Sequence, residues 1–223
     1  MDGVLVDSEP LHNRAKEMAF AEIGIVLPDA VYDSYKGRPD RTMMPEVLKA
    51  LGRAADAERI MQRKKEFYEL IEHELQPITE ASEFVRWAAS RLPLALATSA
   101  TPRNRAAALR MLGIEDCFQA IVDTDRFQHA KPDPEIYRVA ISDLALQPQQ
   151  CWVIEDSLAG VGAGKAAGSF TVGITTTFDR DTLIGAGADL VVDRFAELKN
   201  ILASIESGRL SELAHGRAFP TTE

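Results

Sequence analysis

The stretch Cys151-Trp152-Val153-Ile154-Glu155-Asp156-Ser157-Leu158 decides how the rest of this 223-residue chain is read. An apolar run stops at two carboxylates, and a serine then precedes a helical pattern over 158–167. A strand that is apolar on both faces is buried between helix layers, as in a parallel sheet. Outward from it the same unit recurs. Apolar runs at Leu94-Ala95-Leu96-Ala97, Ala120-Ile121-Val122, Phe170-Thr171-Val172-Gly173-Ile174 and Asp189-Leu190-Val191-Val192 alternate with helical stretches at 80–91, 103–112, 134–144, 158–167 and 179–186. Short strands alternating with helices predict an α/β fold on a doubly wound parallel sheet.

The amino-terminal third differs. Residues from about 9 to 75 read as helical, with breaks at 24–28, at 37–39 and at Gly52. Leu11, Ala15, Met18, Ala19 and Glu22 give one helical stripe, and Ile60, Phe67, Leu70 and Ile71 give another over 56–75. The expected division is a core of 1–10 and 77–207, a helical cap of 11–76, and a polar tail of 208–223. A doubly wound sheet opens with a strand before its first loop, and Val4-Leu5-Val6 is too short to be that strand. A strand of about four or five apolar residues ending just before Met1 is therefore expected to complete the core.

Composition narrows the function classes. Lys and Arg number 25 and Asp and Glu 34, a formal charge of 25 − 34 = −9. That surface is a poor partner for nucleic acid. A small phosphorylated metabolite is compatible with it, because local cations, helix N-termini and a metal ion outweigh the global field. Cys117 and Cys151 match no metal-ligand spacing and point to a reducing compartment. No apolar run approaches the ~18 residues of a membrane helix, and the acidic amino terminus is no signal peptide. A cytoplasmic protein, monomeric or weakly homodimeric, is expected.

Ligands of open α/β sheets bind at the carboxyl ends of the strands. Three such ends carry suggestive groups. Thr98-Ser99-Ala100-Thr101-Pro102 offers a hydroxyl and amides at a helix start, suited to a phosphate group and equally to capping alone. Glu155-Asp156-Ser157 offers hard oxygen ligands for Mg²⁺, or a helix cap. Lys131-Pro132-Asp133-Pro134 holds a lysine on a proline-stiffened loop; by itself it reads as a turn with a solvated charge.

Taken in order, Asp2-Gly3, Thr98, Lys131-Pro132 and Glu155-Asp156-Ser157, with Gly160-Val161 and Ala163 behind the last, resemble the four motifs of the haloacid dehalogenase (HAD) superfamily. The opening Asp2-Gly3-Val4-Leu5-Val6-Asp7-Ser8 is similar to that family's Asp-x-Asp-Gly-[Val/Thr]-Leu-x-Asp-[Ser/Thr], with Met1 at the first x. Asp7-Ser8-Glu9-Pro10-Leu11-His12 resembles the branch of sugar-phosphate phosphatases and β-phosphoglucomutases, whose α-helical C1 cap lies between the first and second motifs.

The resemblance implies a HAD-like Rossmannoid core and a Mg²⁺-dependent phosphatase working through an aspartyl-phosphate. Asp2, Thr98 and Lys131 become catalytic: Asp2 as general acid/base, Thr98 and Lys131 as holders of phosphoryl oxygens. Asp2 (through its carbonyl), Glu155 and Asp156 become metal ligands, Glu155 either directly or as a supporting partner. Ser99, His12, Arg38 and Arg41, with Lys36 beside them, become contacts to the substrate, a sugar phosphate. The family's nucleophilic Asp falls one position before Met1. The expectation is a reading frame that starts upstream, and inactivity of the chain as written. The alternatives are a β-phosphoglucomutase-type hexose-phosphate mutase and a silent protein that binds phosphate esters.

Overall fold

The computed structural model describes residues 1–35 and 40–208. It separates into two compact units, one formed by Met1–Val6 with the described chain from Pro77 onward, the other by Asp7–Gln76. Residues 7–10 thus fall in the smaller unit. The chain crosses between the units at β1 (Val6–Asp7) and β2 (Gln76–Pro77), which pair with each other.

The smaller unit is helical: α1 (Glu9–Ala21), α2 (Asp29–Ser34), α3 (Asp40–Ala50) and α4 (Ala57–Ile71). Phe20, Met43, Met44, Leu48 and Ile60 form its fully buried centre, and Leu11 and Ala15 of α1 meet Tyr68 and Ile71 of α4. Leu70 departs from the expected stripe. It is 66% exposed, because the buried face of α4 runs through Ile60, Lys64, Tyr68 and Ile71 instead.

The larger unit alternates strand and helix: α5 (Ala81–Ala89), β3 (Ala95–Ala97), α6 (Pro102–Leu112), β4 (Ala120–Val122), α7 (Glu135–Asp143), β5 (Trp152–Glu155), α8 (Leu158–Ala167), β6 (Phe170–Ile174), α9 (Arg180–Gly185), β7 (Leu190–Val192) and α10 (Phe195–Glu206). The expected α/β class holds, with strand ends within a residue or so of their expected places. All pairings here are parallel: β3 with β4, β5 with β6, and β6 with β7. Val122, Ile136, Ile141, Val153 and Ala163 pack one buried cluster, and Val161, Leu183 and Val191 another. Helix α10, which the alternation did not call for, buries Phe195, Leu198, Leu202 and Ile205.

The strands form two separate parallel sets, β3–β4 and β5–β6–β7. Between them lies an apolar cavity of about 230 Å³, bordered by residues of β3 and β5 and walled by Phe84, Tyr137 and Phe195. Met1, Val4 and Leu5 also line it. Residues 4–6 do not form an opening strand, as their shortness led one to expect. The backbone turns tightly there, with the N–H groups of Val4 and Leu5 donating to the Met1 carbonyl at 3.2 and 2.7 Å.

Candidate active site

Strand β5 ends in two adjacent buried carboxylates, Glu155 and Asp156, 4% and 8% exposed. Their surroundings differ. Glu155 Oε1 accepts hydrogen bonds from Lys131 Nζ, at 2.5 Å, and from the Tyr137 hydroxyl. Its Oε2 accepts from Ser157 Oγ at 3.0 Å and from the backbone N–H of Asp156 at 3.2 Å. Burial pushes the Glu155 carboxyl up, but the Lys131 ammonium, the Met1 amino group and these hydrogen bonds outweigh it and hold the group well below the usual carboxylate range. Both oxygens are already engaged inside the protein.

Asp156 is the opposite case. Burial and the neighbouring Glu155 charge push its carboxyl up to about 6, against the lesser effect of a hydrogen bond from Thr177 Oγ1 to Oδ2 at 2.6 Å. Charge on this side chain is under-compensated. That is the condition a hard divalent cation relieves, and carboxylate oxygens are the donors Mg²⁺ prefers.

Local sequence makes this arrangement possible. Ser157 caps α8, its Oγ accepting from the Gly160 N–H at 3.1 Å. A Cβ on Gly160 would stand 2.0 Å from the Glu155 carboxylate, so only glycine lets the first turn of α8 approach it. Gly3 has φ of +67°, and a Cβ there would lie 1.9 Å from Asp156 Oδ2. The opening turn therefore lies directly against Asp156. The buried Met1 amino group feels Asp2, Lys131, Glu155 and Asp156, which puts these groups in one neighbourhood; burial lowers its pKa despite the carboxylates.

Thr98 follows β3 and is buried, its N–H donating to the Val122 carbonyl at 2.9 Å and its Oγ1 accepting from the Ala100 N–H at 3.1 Å. Ser99 beside it is exposed. Thr101 caps α6, accepting from the Asn104 N–H at 3.3 Å. The capping reading of this turn thus belongs to Thr101, and Thr98 is separate from it.

In the helical unit, half-buried His12 and Asp40 join the buried Lys16 and Lys64 in an ionic cluster. Lys64 Nζ lies 2.5 Å from Asp40 Oδ2 and donates to His12 Nδ1 at 2.9 Å, while Lys16 Nζ stands 3.4 Å from Asp40 Oδ1. The His12 ring stacks on Tyr68 at 4.3 Å. Burial pushes the Asp40 carboxyl up, but Lys64 and Lys16 prevail and lower it. Arg41 is exposed on α3. Lys36 and Arg38 lie outside the described residues, as does the tail beyond residue 208.

Several groups escaped the sequence reading. Thr176 and Thr177 follow β6; Thr176 donates to the Gly3 carbonyl and Thr177 to Asp156. The run Thr175-Thr176-Thr177 at a further strand end was the available signal. Tyr137 carried none, since its role depends on α7 facing β5. Lys16 and Lys64 carried no signal either, since only packing shows that they are buried.

A family profile for haloacid dehalogenase-like hydrolases matches residues 1–168. The phosphorylated carbohydrates phosphatase of Thermotoga maritima is 34% identical over 92% of this chain and 96% of its own length. The β-phosphoglucomutase of Bacillus subtilis is 30% identical over 89% of this chain and 88% of its own. Among solved structures, a β-phosphoglucomutase from Clostridium difficile superposes with a TM-score of 0.77 at 25% identity, covering 96% of each chain.

Proposed function

Because the chain belongs to the haloacid dehalogenase-like hydrolase family and its relatives include named phosphatases, we propose that it is a Mg²⁺-dependent, cytoplasmic phosphoric monoester hydrolase acting on a small sugar phosphate. The observation that carries the reading is the buried, under-compensated Asp156 beside a Glu155 whose oxygens are fully engaged. That asymmetry supports Asp156 as the direct Mg²⁺ ligand, with Glu155 fixing Lys131 and the turn around it. Bound there, the ion would offset negative charge on the phosphoryl oxygens.

The remaining roles belong to the chain's own groups. Lys131, anchored by Glu155, is preorganised to neutralise phosphoryl charge, and the Thr98 hydroxyl is placed at the neighbouring strand end to orient a phosphoryl oxygen. In the family's chemistry an Asp carboxylate attacks phosphorus, forming an O–P bond as the ester P–O bond breaks. Asp2 gives its proton to the leaving alkoxide, then takes one from the water that releases phosphate and regenerates the carboxylate. The attacking Asp corresponds to the position preceding Met1. Lys16, Lys64, His12 and Arg41 would recognise the anionic or hydroxylated part of the substrate.

The mutase reading is kept alive by the β-phosphoglucomutase relative. Both are tested on a chain carrying Asp directly before Met1. Free phosphate released from sugar phosphates, dependent on Mg²⁺ and lowered about 10²–10⁴-fold by Asp2→Asn, supports the phosphatase. Glucose 6-phosphate formed from β-glucose 1-phosphate with a bisphosphate primer supports the mutase. Full turnover in EDTA would contradict the role given to Asp156.

A further inference from the structure

We infer that Asp40 is a specificity-determining residue: it makes the ionic cluster of the helical unit take the hydroxyl groups of an uncharged sugar and turn away a second phosphoryl group. The inference rests on the proposed phosphatase and narrows its substrate class to a monophosphate with free hydroxyls. Exposure decides which charge a ligand meets. The Asp40 side chain is 31% exposed, against 8% for Lys16 and 11% for Lys64. The ammonium groups are the more deeply buried, so the charge most open to a ligand is negative. Burial pushes the Asp40 carboxyl up, but Lys64 and Lys16 prevail and lower it, so it is ionised at neutral pH.

Hydrogen-bonding capacity points the same way. Lys64 Nζ engages Asp40 Oδ2 and His12 Nδ1, and Lys16 Nζ engages Asp40 Oδ1 and, at 3.1 Å, Asn13 Oδ1. An ammonium carries three donors, so among the described residues each lysine keeps one for a ligand. Each Asp40 oxygen faces one lysine. A carboxylate offers about four lone-pair positions, so Asp40 keeps acceptor capacity as well. Donors and acceptors side by side match sugar hydroxyls, which both donate and accept. A phosphoryl dianion only accepts. It would satisfy the two lysine N–H groups but bring its charge against the Asp40 carboxylate, where displaced solvent can no longer screen the repulsion.

The first test gives the chain carrying Asp directly before Met1 a set of hexose and pentose monophosphates, each against the bisphosphate that differs from it by one phosphoryl group. Asp40→Asn should raise the ratio of kcat/KM for bisphosphate over monophosphate by about 10²-fold, mostly through KM. Asp40→Glu, which keeps the charge, should retain the wild-type ratio. A ratio that Asp40→Asn leaves unchanged, or that Asp40→Glu moves as far, would overturn the inference, as would a wild type that prefers bisphosphates. The second test needs neither turnover nor a variant. The His12 ring resonances of the 223-residue chain are followed by NMR as fructose or inorganic phosphate is added. A shift with the sugar and little or none with phosphate is expected; no shift with the sugar, or a larger one with phosphate, overturns the inference. If no ester is hydrolysed while His12 still responds to the sugar alone, the proposed function fails and the preference assigned to Asp40 stands.

Discussion

Both units bury charge, and they do so with opposite sign. In the α/β unit two adjacent carboxylates, Glu155 and Asp156, lie side by side, and the Lys131 ammonium pairs with Glu155. In the helical unit, among the described residues, the ammonium groups of Lys16 and Lys64 converge on the carboxylate of Asp40. Hydrophobic residues in these positions would serve stability better, because burying ions costs several kcal/mol each before pairing returns any of it. The proposed function reads each unbalanced cluster as a place for a ligand of the opposite sign. The first excess is negative and suits a metal ion; the second is positive and suits an anionic ester or its hydroxyls.

The contrast is sharpest when one charge is removed from each side. Asp156→Asn should stabilise the metal-free protein at neutral pH, by on the order of 2–3 kcal/mol, read by denaturant unfolding. The sign follows from the direction of the shift. The folded carboxyl titrates at about 6 against an ordinary 3.8, so the native state holds the extra proton between those values and wild-type stability falls as pH rises through them. The gain from Asp156→Asn should therefore be complete above pH 6 and vanish below about pH 4. A destabilised variant at neutral pH would break the contrast.

Lys64→Met should act the other way and less strongly. It strips the closer partner from Asp40, whose side chain is 31% exposed, so solvent and Lys16 limit the loss to about 1–2 kcal/mol. Asp40 has a lowered pKa, so the stability it contributes is present above its unfolded pKa and is lost as pH falls through the folded one. The gap between Lys64→Met and wild type should close in acid. A thermal unfolding series across pH checks both statements.

Much of this was legible in the sequence, because strand and helix periodicities and turn chemistry are local. The apolar runs at 120–122 and 170–174 coincide with β4 and β6 to the residue. Helix α10 has a clear stripe at Phe195, Leu198, Leu202 and Ile205, yet it follows the last strand, where strand–helix alternation makes no demand for it. The groups of the site were legible only in part. Glu155 and Asp156 look alike in sequence, and their division into an engaged and an under-compensated carboxylate depends on Tyr137, Lys131 and Thr177, brought in from three other segments. Lys16 and Lys64 sit on charged helix faces, and only packing shows that they are buried.

The central claim is that Asp156 is the metal ligand of a site built for a cation. Its most direct test is the thermal shift given by millimolar Mg²⁺ to the 223-residue chain and to Asp156→Asn, measured across pH 5 to 8. The account predicts a stabilisation of the wild-type chain that grows as pH rises through about 6, where Asp156 ionises, and none for Asp156→Asn. Equal Mg²⁺ shifts in the two proteins, or a wild-type shift indifferent to pH, would contradict it.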